Sequence, residues 1–172
     1  MLNFLKDNIK AKDLIIIMAP ILISFVFINV DSTYNQYLIY SHYIALIPNT
    51  IFILISYRIY SKVNDMYNSI AIRIGCIKVL KYSTLIAIIL ILVYSVLLYS
   101  YNSLFYALPS GDDLKLLGLF ILSNTACYLI EHIIMILQIG VKKNILYIFI
   151  PIAINFAYHF YFVPYFFNKS VF

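Results

Sequence analysis

The chain has 172 residues, 64% of them hydrophobic and only 11% charged, with a mean hydropathy of +0.95 and a formal net charge of +5. About a quarter of a soluble domain's residues are charged, so an ordinary water-soluble fold is excluded. The apolar residues arrive in separate blocks rather than in alternation. Blocks near the roughly 20 residues that cross a bilayer core predict an all-α, polytopic transmembrane helix bundle forming a single membrane domain.

Five blocks read as spans: 14–30, 37–57, 82–101, 116–140 and 144–167. Lys6, Lys10 and Lys12 precede the first. A basic flank also suits a signal peptide, but the following NVDSTYNQ has no small-x-small cleavage pattern, so an uncleaved span is expected. Tyr34, Tyr37, Tyr40 and Tyr43 cluster at the next boundary, and HFYFVPYFF (159–167) closes the last block. Tyrosine favours the membrane interface because its ring is apolar and its hydroxyl seeks water. A ligand-binding aromatic box is the alternative.

After the second block, in RIYSKVNDMYNSIAI (58–72) and just beyond it, Ile59, Val63, Met66, Ile70 and Ile74 form one stripe. Lys62, Asp65, Asn68 and Ser69 fall opposite. That pattern predicts an amphipathic helix over about 59–74, too polar to span and lying at the membrane surface. Such a helix either rests on lipid headgroups or docks a cytoplasmic protein. Gly75 interrupts it, and CIKVLKYS leads into the third span. Lys78 and Lys81 near a helix start oppose the macrodipole preference, so the interface is the better explanation for them. In the loop NSLFYALPSGDDLK (102–115), PSGDD signals a turn, and Asp112 and Asp113 suit the positive end of the helix that follows. Two adjacent aspartates without further ligands make a poor metal site, and no metal is expected.

The cations orient the chain. Lys6, Lys10, Lys12, Arg58, Lys62, Arg73, Lys78, Lys81, Lys142 and Lys143 occupy one set of alternating loops, and only Lys115 and Lys169 the other. This positive-inside asymmetry predicts a cytoplasmic N-terminus and an external C-terminus. It also explains the net charge without nucleic acid, which is not expected as a partner. Cys76 lies in the loop and Cys127 within the fourth span, so a disulfide between them is not expected.

No catalytic constellation emerges. Glu131 and His132 point about 100° apart on a helix, and no HExxH motif is present. His42 and His159 lie toward the other face from Cys76, which argues against a Cys–His pair. Gly75, Gly111, Gly118 and Gly140 stand isolated and build no phosphate loop. No enzyme activity and no cofactor are expected.

The polar residues inside the spans carry more information. In NTACYLIEHIIMILQ (124–138), Asn124, Glu131 and Gln138 recur at intervals of seven, and Cys127 falls on the same side. A seven-residue step drifts by only about 20° on a helix. Glu131 lies about 5 Å from the middle of the predicted span at the helical rise, where a carboxylate is costly unless received. His42, Asn49 and Ser56 also step by seven, and Asn155 and His159 are four apart. Such residues usually join helices. Glu131 is therefore expected to be neutral or hydrogen-bonded to another helix, with Asn155 the first candidate. A proton relay or a substrate contact is the alternative.

The order of two N-terminal blocks, ISYRIYSK, IAIRIGCIKVLKYS running into the next span, and later the tight basic turn LQIGVKKNILYIFIPIAIN resembles the small permease subunits of ABC-2-type exporters. These belong to peptide or bacteriocin export and resistance systems of low-GC Gram-positive bacteria. The resemblance implies a bacterial cytoplasmic membrane protein whose 59–74 segment docks on a separate ATPase subunit, with a second permease subunit completing the route. The family has six spans, with a hairpin dipping in before the sixth, whereas five are read here; a permease half and an accessory subunit both remain open. A bacteriocin immunity membrane protein and a structural subunit of a secretion complex are the competing expectations.

Overall fold

The computed structural model describes residues 45–106, 109–142 and 144–167, together with 16, 19–23, 35, 38 and 39. The cations Lys6, Lys10, Lys12, Lys143 and Lys169, the tyrosines at 34, 37, 40 and 43, and His42 lie outside them, as do most of the predicted first span and the C-terminal 168–172.

The described residues form helices and no strand. A π-helical turn, Ala45–Asn49, leads into α1, Thr50–Asp65. Pro48 inside that turn removes one N–H from the ladder, and a locally widened turn is one way a helix accommodates the loss. Met66 breaks the chain before the short α2, Tyr67–Ile74, and Gly75 separates α2 from the long α3, Cys76–Ser103. Gly75 adopts φ 87°, a value few side chains tolerate, so the corner between α2 and α3 is set there. After Gly111 comes α4, Asp112–Ile136, with Asp112 and Asp113 in its first turn. The last helical stretch runs through α5, Leu146–Ala157, a second π turn, Tyr158–Phe162, and α6, Val163–Phe167.

Among the described residues, three helical stretches are long and apolar enough to cross a membrane: Cys76–Ser103, Asp112–Ile136 and Leu146–Phe167. The distribution of polarity agrees with lipid as the solvent. Leu92, Val96, Leu119, Leu122 and Ile133 are exposed, while Asn49, Asn102, Asn124, Glu131, His132, Asn155 and His159 are buried. A bundle with polar groups inside and aliphatic side chains outside suits hydrocarbon rather than water. Hydroxyl and amide side chains on the long helices also turn back onto their own carbonyls, as Ser83 does to Val79, Thr84 to Leu80, Asn102 to Leu98 and Thr125 to Ile121. Each such bond removes an unsatisfied donor at low cost.

The helix bounds differ from the sequence expectation in an instructive way. The third predicted span begins six residues earlier, at Cys76, because CIKVLKYS is helical and the break falls at Gly75. The fourth starts at Asp112 and ends at Ile136, four residues short of the predicted limit. The predicted amphipathic helix over 59–74 is divided: Ile59 and Val63 belong to α1, and Ile70 and Ile74 to α2, with Met66 at the break.

The turn after α4 is clamped to the α1–α2 corner. Asn64 accepts from Gly140 N at 2.8 Å through its side-chain oxygen and donates to Val141 O at 3.1 Å through its amide. Gly140 has φ 86°, and a Cβ there would stand 2.9 Å from Tyr67 Cζ. Gly140→Ala is therefore expected to cost about 1–3 kcal/mol through strain and the clash, lowering the melting temperature in mild detergent. Gly118→Ala is the control, since nothing lies near that Cβ position on α4; helix propensity should leave it neutral or stabilising by up to about 1 kcal/mol.

Candidate functional site

Asn49 is the centre of the buried polar structure. Its Oδ1 accepts from Tyr94 Oη at 3.0 Å on α3 and from Tyr128 Oη at 2.7 Å on α4. Its Nδ2 donates to Asn155 Oδ1 on α5 and lies 3.3 Å from His159 Nε2 in the second π turn. A primary amide offers two acceptor lone pairs and two donor hydrogens, and here all four are matched. Because an amide N–H donates to His159 Nε2, that nitrogen is the unprotonated one. Both π turns thus deliver a residue to the hub, Asn49 ending one and His159 lying within the other. Widened helical turns recur where a side chain must be re-aimed.

The network continues along α4. Asn124 Nδ2 donates to Tyr99 Oη at 2.8 Å and to Tyr128 Oη at 3.0 Å, and the Tyr128 hydroxyl donates in turn to Asn49 Oδ1. Aromatic packing holds these hydroxyls in place: Phe52 stacks on Tyr94 with centroids 3.9 Å apart and planes 9° from parallel, and meets Tyr128 edge-on. One turn further, His132 Nδ1 lies 2.8 Å from the Tyr128 carbonyl, which only accepts, so Nδ1 carries a proton, and Nε2 shares a hydrogen bond with Ser56 Oγ at 3.1 Å.

Glu131 stands apart from this network. It is fully buried, and Oε1 accepts from Cys127 Sγ at 3.4 Å on its own helix. Oε2 has no hydrogen-bond partner among the described residues. The expected partner, Asn155, instead accepts from Asn49. Nor is Glu131 at the middle of its helix. Asn124 is the midpoint of Asp112–Ile136, so Glu131 lies about 10 Å from it at 1.5 Å per residue. Gln138 falls beyond the helix end, in the turn; it is buried, and neither of its amide atoms has a partner among the described residues. The seven-residue seam is therefore helical only from Asn124 to Glu131.

On the outer side of Cys127 lies an apolar groove of about 660 Å³ between α4 and the α5–α6 stretch. Ser123, Cys127 and Ile130 form one wall and Ile154, Tyr161 and Tyr165 part of the other. Ser123 Oγ and Tyr158 Oη, 2.6 Å apart, bridge the two walls. A smaller recess of about 250 Å³ continues from it past Phe162, Phe166 and Phe167. Cys127 separates the groove from the Glu131 carboxyl.

Of the predicted docking stripe, Ile59 and Val63 are fully buried, and Ile70 and Ile74 pack against the cluster of Tyr60, Val79, Met135 and Ile139. Met66 alone is exposed. The amphipathic face is thus turned into the molecule, since α2 lies back along α3. Among the described residues no group of three His, Cys, Asp or Glu is placed to hold a metal, and Asp112 pairs with Lys115 at 2.7 Å. Sequence reasoning brought Asn49, Ser56, Asn124, Asn155 and His159 forward but missed Tyr94, Tyr99 and Tyr128. Their signal was position: Tyr94 and Tyr128 lie well inside long apolar helices, away from the interfaces where tyrosine usually sits.

Removing the hub should cost more than removing any spoke. A hydrogen bond between membrane helices contributes about 0.6 kcal/mol, up to about 1.7. Tyr94→Phe and Tyr128→Phe are each expected within that range. Asn49→Ala removes contacts to four buried partners at once and should cost about 2–4 kcal/mol. Unfolding in mixed detergent measures all three, and an Asn49→Ala value no larger than that of Tyr94→Phe would refute the central role.

Nothing matches the chain among known family models, curated proteins or solved structures.

Proposed function

We propose that the chain is a non-catalytic, five-span subunit of an ATP-driven exporter in a bacterial cytoplasmic membrane, serving a peptide or another amphiphile. The groove between α4 and α5–α6 carries the proposal. It is apolar, open at the surface of the bundle, rimmed by tyrosines, and separated by Cys127 from a buried carboxyl. Amphiphile sites combine a mostly apolar recess with a few placed polar groups. A second permease subunit would close the groove into a route.

Glu131 takes the functional role. A residue joining helices bonds across them, whereas the one hydrogen bond shown for Glu131 comes from Cys127 on its own helix. A buried carboxyl with an unused oxygen, one residue-layer from the groove, suits transient contact with a cationic group or a proton. Glu131→Gln keeps size and hydrogen-bonding capacity, so it should assemble normally and lose export. Retained export in a well-assembled Glu131→Gln protein would return Glu131 to a structural role. Ala126→Trp, which fills the groove from its lining, should block export likewise while leaving the complex intact.

The cytoplasmic ATPase subunit meets the chain at its basic end, and Met66 is the member of the predicted stripe available to it. Met66→Asp should uncouple the ATPase without disturbing insertion, because a charge replaces an apolar anchor. Purification in mild detergent followed by mass spectrometry is expected to recover an ATPase. Secretion proteins instead would favour a structural role in a secretion complex, and no stable partner would favour an immunity protein. Orientation is tested separately. A Lys62→Cys protein should resist an impermeant thiol reagent in intact cells, and its labelling would overturn the cytoplasmic placement of the α1–α3 corner.

A further inference from the structure

The α2–α3 corner presents a second surface, distinct from the stripe that packs inward. With Ile70, Ala71 and Ile74 against the core, the opposite side of α2 carries Asn68, Ser69, Ile72 and Arg73 in the open. Across Gly75, the first turns of α3 expose Ile77, Lys78, Leu80 and Lys81. Ile72 is 87% exposed and Ile77 83%, two of the most exposed large apolar side chains described. Exposed Arg58, Arg73, Lys78, Lys81 and Lys142 share this end, where Asp65 is the one carboxylate between 58 and 81.

The length of α3 locates the corner. Its 28 residues extend about 42 Å at 1.5 Å per residue, against a hydrocarbon core of about 30 Å. The surplus of about 12 Å, roughly two turns, accommodates the basic start of the helix outside the core. Cations placed there meet headgroup phosphates, and two isoleucines beside them reach the acyl boundary.

We propose that Arg73, Lys78 and Lys81, with Ile72 and Ile77, form an anchoring site for anionic phospholipid headgroups. Charge complementarity selects this occupant: the charged groups of the surface are nearly all cations, and an anionic leaflet attracts each Lys or Arg near it by roughly five-fold in affinity. The site rests on the membrane placement proposed above and not on export.

Cys76 is the exposed one of the two cysteines and sits within the corner, so it accepts an environment-sensitive fluorophore. The full-length protein is reconstituted into phosphatidylcholine vesicles with or without phosphatidylglycerol. A blue shift that grows with phosphatidylglycerol and falls with salt is expected. It should be lost in the Arg73→Gln, Lys78→Gln, Lys81→Gln variant. Ile72→Ser with Ile77→Ser, which leaves every charge in place, should reduce it as well. Identical emission in the two vesicle types, or an unchanged shift in either variant, overturns the proposal. A shift that appears only on adding a cytosolic protein fraction also overturns it, assigning the face to a protein partner. Insertion and orientation are read independently with the impermeant reagent, so failure of the membrane placement is separable from failure of the lipid site.

Discussion

The bundle depends on one saturated amide. Asn49 ties its own helix to α3, α4 and the α5–α6 stretch with two accepted and two donated contacts. In lipid, apolar side chains gain little by facing one another rather than hydrocarbon, so helices are held by close packing and by hydrogen bonds between polar side chains. A polar group at that depth without a partner is a liability, which makes a fully matched one a constraint on everything around it. Tyr94 and Tyr128 must present their hydroxyls at one point, and Phe52 and the two π turns arrange the backbone and rings so that they do.

Against that saturated centre, Glu131 and Gln138 are conspicuous. Each is buried, and each keeps polar atoms that no described residue meets. Buried polar groups are overwhelmingly satisfied in stable folds, and exceptions mark water, ions or a working site. Glu131 lies behind Cys127, whose other side lines the groove. The polar network is saturated at Asn49, although Asn124 Oδ1 within it also meets no described residue; Glu131 differs in being a carboxyl that stands behind a wall of the groove.

The basic end shows how packing redistributes an amphipathic pattern. The stripe from Ile59 to Ile74 is apolar enough to seek a partner, and it finds one in its own chain, against Val79, Met135 and Ile139. Asn64 and the Gly140 turn lock that arrangement, with Tyr67 seated over a glycine that has no room for a side chain. What the inward stripe leaves outside is a different surface, composed of Ile72, Ile77 and the cations.

Hydropathy by itself gave the helical class and the approximate position of the long apolar helices, because desolvated backbone in lipid has few alternatives to a helix. Seven-residue spacing brought Asn49, Ser56, Asn124 and Glu131 forward, since that step keeps side chains on one face. Spacing along one helix says nothing about which face of another helix it meets. Only the tertiary structure decided that Asn49 rather than Glu131 takes Asn155, that tyrosines deep in α3 and α4 supply the hydroxyls, and that the 59–74 stripe turns inward. Helix rotation and the break at Gly75 set those pairings, and both arise from the packing of all the helices together rather than from any one segment.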